Sequence, residues 1–444
     1  MKILIAGAGE VGTHLAKLLT QEEMDITLMD EDPAKLDSIG ANYNLMTWVG
    51  SALSFQTMKE AGAGRADLFI SVLPTETDNV VACQIATELG ARKTVARIDN
   101  YEFMAPGNRE FFHRLGVKSL IYPEYLAAQE IVTALERTWV RHWFEIHDGQ
   151  IILVGVKLRD NARMIGMQLK EFAMSQRNFH VSAIKRRHET IIPRGDDRIL
   201  TGDILYFTAT REHVDELIEL CGKRSYTIRN VMVMGGSRIA IRLANLAGDR
   251  FRIKIIESNR NRCEQLAELC PKARIIHGDA RDIETLRDED IGDMDAFIAL
   301  SDSSETNILS CLTAKEFGVS KTVAEVENIQ FIAEAENLNI GTIVNKKLLS
   351  SSAIFQMLLD ADSSTSKCLA LTDAEVAEIE VKPGSKVTRG PVKDLKLSRD
   401  MTIAGLIRNG EGRLVTGNTV IEAGDHVVVF CLTGAINKVE RLFG

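Results

Sequence analysis

Gly7-Ala8-Gly9-Glu10-Val11-Gly12 follows the apolar run Lys2-Ile3-Leu4-Ile5-Ala6 and opens a segment whose Leu15, Leu18 and Leu19 fall on one helical face. Three glycines at this spacing, between a strand and a helix, can do one kind of chemistry: they hold a phosphate against bare backbone. Gly7 permits the tight turn, Gly9 lets a pyrophosphate reach the main chain, and Gly12 lets the helix pack closely. Free N–H groups and the positive end of the helix dipole then face the anion. Asp30 closes the next predicted strand, 18 residues after Gly12. A carboxylate there accepts ribose hydroxyls and repels a 2′-phosphate, so the expected ligand is NAD(H) or another adenosine nucleotide rather than NADP. Weaker contacts follow from the topology: Gly50-Ser51-Ala52 beside the adenine, Leu73 at the end of strand four, and Arg97 at the end of strand five. Arg97 reads equally well as a phosphate contact or as the partner of a nearby acid.

The same programme recurs at a constant offset of 228 residues, with Gly7, Gly50 and Asn79 matched by Gly235, Gly278 and Asn307. One register held over so long a stretch means two nucleotide-type units in tandem. The second turn is altered. Gly235-Gly236-Ser237-Arg238 places Ser237 where Gly9 stands, and Ala240 replaces Gly12, while Glu257 keeps the acid and Gly278-Asp279 keeps the third-strand turn. Glu325 stands where Arg97 stood. The second site is therefore expected to be weaker, altered or empty, with Arg238 offering some compensating charge.

Strands alternating with helices predict a parallel sheet covered on both faces in each unit. In the first unit, strands are expected at Ile3–Ala6, Asp25–Asp30, Leu45–Val49, Leu68–Leu73 and Thr94–Ile98, with a longer helix starting at Pro123. The pattern then changes to short β runs, Ile151–Leu158, Val181–Lys185 and Ile204–Thr208, with one helix near Met167–Met174. Ala377–Val381 and His426–Phe430 belong to the second such lobe, whose Gly424-Asp425 matches Gly202-Asp203. The fold class is α/β, two Rossmann-like parallel units each followed by a small α+β lobe. The domain limits are 1–135, 136–226, 227–362 and 363–444, and Ser363–Lys367 reads as the last linker.

The bulk properties exclude several functions. A net charge of −9 makes a nucleic-acid partner unfavourable. The Lys185-Arg186-Arg187 run reads as a solvated face. The seven cysteines form no Cys-x-x-Cys pair, and most sit in apolar patterns, as reduced core residues of a cytosolic protein do. The chain opens in a strand rather than a signal peptide, and no apolar run is long enough to span a bilayer. None of the nine histidines pairs with a carboxylate or cysteine at a spacing that marks a metal or nucleophile site. His14 reads as helix surface or packing. Walker A, G-x-S-x-G and H-E-x-x-H motifs are absent, so no catalytic constellation supports an enzyme.

The set Gly7–Gly12, Thr77-Asp78-Asn79-Val80-Val81-Ala82-Cys83, Val95-Ala96-Arg97-Ile98, Tyr122-Pro123-Glu124, Gly424-Asp425-His426-Val427 and Val439-Glu440-Arg441-Leu442-Phe443 resembles the peripheral, NAD-binding subunits of Trk-type bacterial potassium uptake, with tandem RCK-type N and C lobes. Leu73 and Gly50-Ser51-Ala52 depart from that family's usual Thr and Gly-Asp-Ala. The resemblance implies a cytoplasmic gating ring, peripheral on the inner face of the plasma membrane. It implies a homo-oligomer, a tetramer whose eight N lobes sit beneath a membrane-embedded potassium channel subunit, binding NAD(H) and ATP or ADP. A hinge near residues 123–150 would carry the motion. Two other readings compete: an NAD-dependent oxidoreductase using the first unit, and an RCK-type regulator of another cation transporter.

Overall fold

The computed structural model describes residues 1–20, 24–187, 189–359, 367–370, 374–432, 435 and 442–443. It divides into two compact units.

The first unit is built on a parallel sheet of β1 (Lys2–Ala6), β2 (Asp25–Asp30), β3 (Met46–Val49), β4 (Leu68–Ser71), β5 (Lys93–Arg97) and β6 (Ser119–Ile121), in the order β3-β2-β1-β4-β5-β6. This is the doubly wound order of dinucleotide-binding folds, and the chain reverses direction across the sheet between β1 and β4. Ile3 to Ala6 and all of β4 are buried, as strands covered on both faces must be. The covering helices are α1 (Glu10–Thr20), α2 (Pro33–Gly40), α3 (Phe55–Glu60), α4 (Glu76–Leu89) and α5 (Pro106–Arg114), with α6 (Pro123–Glu136) leaving the unit. Helix α1 buries Leu15, Ala16 and Leu19. Local chemistry sets the boundaries. Asp32 caps α2 through Ala34 N with Pro33 in the first turn, and Thr75 caps α4 through Asp78 N. Gly90, at φ 112°, ends α4. The helix Lys346–Leu359 also packs here, against α1.

The second unit opens with an antiparallel sheet: β7 (His142–Ile146), β8 (Ile151–Lys157), β9 (Phe179–Arg186), β10 (Glu189–Ile191) and β11 (Ile204–Thr210), ordered β10-β9-β11-β8-β7, with α7 (Leu169–Ser175) and α8 (Glu216–Leu220). A second parallel sheet follows: β12 (Asn230–Met234), β13 (Arg252–Glu257), β14 (Arg274–His277), β15 (Ala296–Ala299), β16 (Lys321–Glu325) and β17 (Thr342–Val344), ordered β14-β13-β12-β15-β16-β17. Its helices are α9 (Arg238–Ala247), α10 (Arg260–Leu269), α11 (Ile283–Asp288), α12 (Ser304–Glu316) and α13 (Gln330–Asn337), and Lys346–Leu359 is α14. The last sheet holds β18 (Lys367–Ala370), β19 (Ala374–Glu380), β20 (Met401–Arg408), β21 (Glu411–Leu414) and β22 (His426–Leu432). The two antiparallel lobes share a core in which Ile151, Leu153 and Tyr206 of the first pack with Val376, Val428 and Phe430 of the second.

The matched Gly-Asp turns have a common purpose. Asp203 and Asp425 are 2% exposed, and each takes a two-pronged contact from an arginine on the neighbouring strand. Arg186 reaches Asp203 at 2.8 and 2.7 Å, and Arg408 reaches Asp425 at 2.7 and 2.7 Å. Fork geometry makes these the strong form of the ion pair. The Lys185-Arg186 run is thus not a solvated face: Lys185 is buried against Glu336, and Arg186 is committed to Asp203. Ser363–Ser366 and Val439–Arg441 lie outside the described residues, while Lys367 already opens β18.

Each parallel sheet is fastened at the ends of its fourth and fifth strands by one buried asparagine. Asn79 Oδ1 accepts from Ser71 Oγ at 2.8 Å and Leu73 N at 2.7 Å, and its Nδ2 donates to the carbonyls of Leu73 and Arg97. Asn307 repeats this with Ser301 N, Ser301 Oγ, Ser301 O and Glu325 O. Removing such an amide strands several buried polar groups. Asn79→Ala is expected to cost about 2–4 kcal/mol of stability in denaturant unfolding. A loss below about 0.5 kcal/mol would mean the network is not holding the strand ends.

Candidate nucleotide-binding site

The first glycine turn crosses the carboxyl edge of β1 at the reversal point. Gly7 has φ +105°, and a Cβ there would stand 2.9 Å from the Val72 carbonyl oxygen, so only glycine fits. A Cβ on Gly12 would meet the Gly7 carbonyl oxygen at 1.9 Å. Gly12 therefore keeps α1 tight against the turn itself, more than against the sheet. Gly9 differs from both: a Cβ there meets nothing within 4 Å. Protein packing does not require that glycine, and its open side faces the space the motif reserves for a phosphate.

Asp30 reaches back to this turn. Its Oδ2 accepts from Ala8 N at 2.7 Å and its Oδ1 from Asp32 N at 2.9 Å, with Lys35 Nζ at 3.4 Å. Burial pushes the carboxyl pKa up, but the Asp32 and Ala8 amides and the Lys35 ammonium outweigh it and hold the group below the usual carboxylate range. The acid is thus a fixed anion with lone pairs left for ribose hydroxyls. Val11 and Glu10 begin α1, and Glu10 is paired to Lys347. Gly50 has φ +157°, and Ser51 and Ala52 follow it at the end of β3. Leu73 N and O are both tied to Asn79. Arg97 pairs with Asp99 at 3.1 Å, the ion-pair alternative. His14 is packed rather than displayed; burial, then Lys17 and Lys347, push its pKa down to about 4.

The second turn keeps the same frame. Gly235 has φ +95°, and Glu257 Oε2 accepts from Gly236 N at 2.8 Å while Oε1 accepts from Asn259 N at 2.7 Å. Ser237 is the N-cap of α9, its side chain accepting from Ala240 N at 3.4 Å, and Arg238 is the first residue of that helix. A cavity of about 600 Å³ opens over this turn, within the size range of small-ligand sites. Arg262 and Arg281 line it beside Glu257, Gly278 and Asp279. Arg262 Nε donates to Gly236 O at 2.9 Å, and Arg281 forks onto Asp279. Strand and cap register place Lys35 of the first copy where Arg262 stands, Leu53 where Arg281 stands and Ser51 where Asp279 stands, so the second cleft exchanges a lysine for an arginine and adds the Arg281–Asp279 pair. Motif spacing did not single out these arginines; comparing the copies at the 228 offset kept by Gly50 and Gly278 would have found Arg281 against Leu53.

A second cavity, about 410 Å³, lies elsewhere in the second unit and is lined by Arg141, Lys157, Arg159, Lys223, Lys315 and Lys321. Backbone and amide oxygens at the C-terminal end of α13 supply acceptors: Lys157 donates to Glu336 O and Arg141 to Asn339 Oδ1. Burial, then Arg141, pushes the Lys321 pKa down to about 7, with Glu130 opposing.

Two measurements check these packing arguments. Gly12→Ala is expected to lose about 1–3 kcal/mol or more by overpacking, and Gly9→Ala to unfold like the parent chain; equal losses would contradict the assignment of roles. For Lys321, the unfolded chain holds a proton up to the ordinary lysine range while the folded chain releases it near pH 7. Stability should therefore rise from about pH 7 towards pH 10, and Lys321→Met should flatten that rise in thermal unfolding. An unchanged slope would refute the buried-cation reading.

Family models match in the same tandem order as the lobes: the TrkA-N domain at residues 3–123 and 231–346, and the TrkA-C domain at 153–222 and 376–444. Trk system potassium uptake protein TrkA of Halomonas elongata is 30% identical, with 100% of this chain and 98% of that protein covered. The protein of the same name from Vibrio alginolyticus is 31% identical with the same coverage. The TrkA homolog of Archaeoglobus fulgidus is 29% identical, with both chains covered completely. Among solved structures, the GsuK RCK domain superposes with a TM-score of 0.62 at 14% identity, covering 100% of this chain and 94% of that one. The GsuK channel bound to NAD gives the same TM-score over 78% of its length. That likeness establishes a shared fold. Matched by tandem domain models over most of its length and by relatives over all of it, the chain belongs to the TrkA family of Trk potassium uptake proteins.

Proposed function

We propose that this chain is the nucleotide-binding regulatory subunit of a Trk-type potassium uptake channel, acting as a sensor rather than an enzyme. The observation that carries the reading is the pairing, made twice, of an open glycine turn with a carboxylate anchored to its amides. Phosphate meets backbone N–H groups and a helix N-terminus, and the acid takes the sugar. No residue pair near either turn is needed for proton transfer, since binding alone does the work.

The two turns are suited to different ligands. Asp30 with the cation Lys35 beside it favours NAD(H), whose diphosphate carries less negative charge than the phosphates of ADP or ATP. Arg262 and Arg281 favour the more anionic ATP or ADP at the second cleft. Family membership and the relatives' names support a membrane-embedded potassium channel as partner. Among the described residues no helix is long and apolar enough to cross a membrane, which is consistent with a subunit held at the cytoplasmic face through that partner. A homotetrameric ring of N lobes would convert ligand preference into channel state. A nucleotide moves such a ring only as far as it binds one shape better than the other.

Calorimetry on the full chain with NADH, ATP and ADP tests this. NADH affinity should fall at least about tenfold in Asp30→Ala and in Gly9→Ala, equivalent to about 1.4 kcal/mol. ATP affinity should fall in Arg262→Ala with Arg281→Ala. NADH consumption with a hydroxy acid or aldehyde would favour the oxidoreductase reading, and NADH binding indifferent to both first-site substitutions would overturn the assignment.

A further inference from the structure

His147, Glu378 and His426 meet in the second unit although the chain separates the first two by 231 residues. His147 sits in the turn between β7 and β8. Glu378 lies in the middle of β19, and His426 is the first residue of β22. In the antiparallel β19–β22 pair Glu380 stands opposite His426, so Glu378 and His426 are diagonal neighbours on one face. His147 Nδ1 is hydrogen-bonded to Glu378 Oε1 at 2.8 Å, and His426 Nδ1 lies 3.1 Å from the same oxygen but makes no hydrogen bond to it or to any other group among the described residues. All three ligating atoms lie within 4.8 Å of one another.

We infer that these three side chains form a binding site for a divalent cation of the zinc class, joining the two antiparallel lobes. Neighbouring ligands of a tetrahedral ion with bonds near 2.1 Å stand about 3.4 Å apart, so the observed separations need only small adjustments to accept one. Two imidazole nitrogens and one carboxylate oxygen are a zinc-type donor set; calcium and magnesium prefer oxygen ligands alone. The Glu378 side chain is 5% exposed, and its Oε2 is buried without a hydrogen-bond donor. A carboxylate in that position is costly unless a cation satisfies it. The histidines, 31% and 26% exposed, leave a path for an ion and room for a fourth, solvent-derived ligand.

The repeat argues that the cluster is not a by-product of the fold. Lys157 and Ile204 pair in the first lobe as Glu380 and His426 do in the second, which puts Gly155 and Ile204 at the positions of Glu378 and His426. The same strands are built there without any ligating group.

The test uses the full chain, stripped with EDTA and titrated with Zn²⁺, then with Co²⁺ as a spectroscopic probe. One equivalent of Zn²⁺ should bind per chain, and the thermal midpoint should rise with the metal and fall back on chelation. The bound Co²⁺ should show visible ligand-field bands without a thiolate charge-transfer band. His147→Gln and His426→Gln should each weaken Zn²⁺ binding by more than roughly tenfold while leaving NADH binding unchanged. Because Glu378 is buried, the two more exposed histidines are the informative substitutions, and unchanged circular dichroism verifies their folding. The inference is overturned if no stoichiometric Zn²⁺ binds, if both histidine variants bind it as the parent does, or if Co²⁺ reports thiolate ligation.

Discussion

A carboxylate at the end of one strand, bonded to a backbone amide in the glycine turn of the next, is the constraint on which both parallel units rest. Asp30 does this at Ala8 and Glu257 at Gly236. The bond sets the turn's amides in place before any ligand arrives, and it keeps a negative charge where a sugar would lie. Such preorganisation removes part of the ordering cost of binding. The buried asparagines complete the frame from the other side, tying the ends of the fourth and fifth strands together beside the glycine turn.

Within that frame the two copies diverge in a physically legible way. The first keeps glycine at the open position of the turn; the second spends that position on a helix cap, places Arg262 where the first has Lys35, and adds the Arg281–Asp279 pair at the rim. Backbone geometry is preserved while the charge of the cleft changes. Duplication of this kind lets one chain vary a cleft while keeping its scaffold, which is what the proposed function requires. The antiparallel lobes follow a parallel rule: their buried aspartates are each pinned by an arginine fork, and the second lobe carries the histidine and glutamate, His426 and Glu378, that converge with His147.

Much of this was readable from the residues. The β2 strand ends at Asp30 as expected, because strand and turn propensities change sharply there, and the recurring offset carried the second unit with it. Short or edge elements were not readable: β6, with three residues, and α5, whose one buried side chain is Phe112, leave too little periodic pattern. Partners distant in sequence were also hidden. The charge run at Lys185 looks solvated until Glu336 and Asp203 fold against it, and His147 gains its neighbours only through the packing of two lobes. Arg97 shows the intermediate case: spacing allowed two partners, and the structure shows one of them, Asp99, in contact.

The most direct measurement is a crystal structure of the full chain grown with NADH. The expected result is diphosphate density over the amides of Gly7–Gly12 with ribose hydroxyls on Asp30. A turn closed by neighbouring side chains, or a dinucleotide bound away from that strand edge, would contradict it.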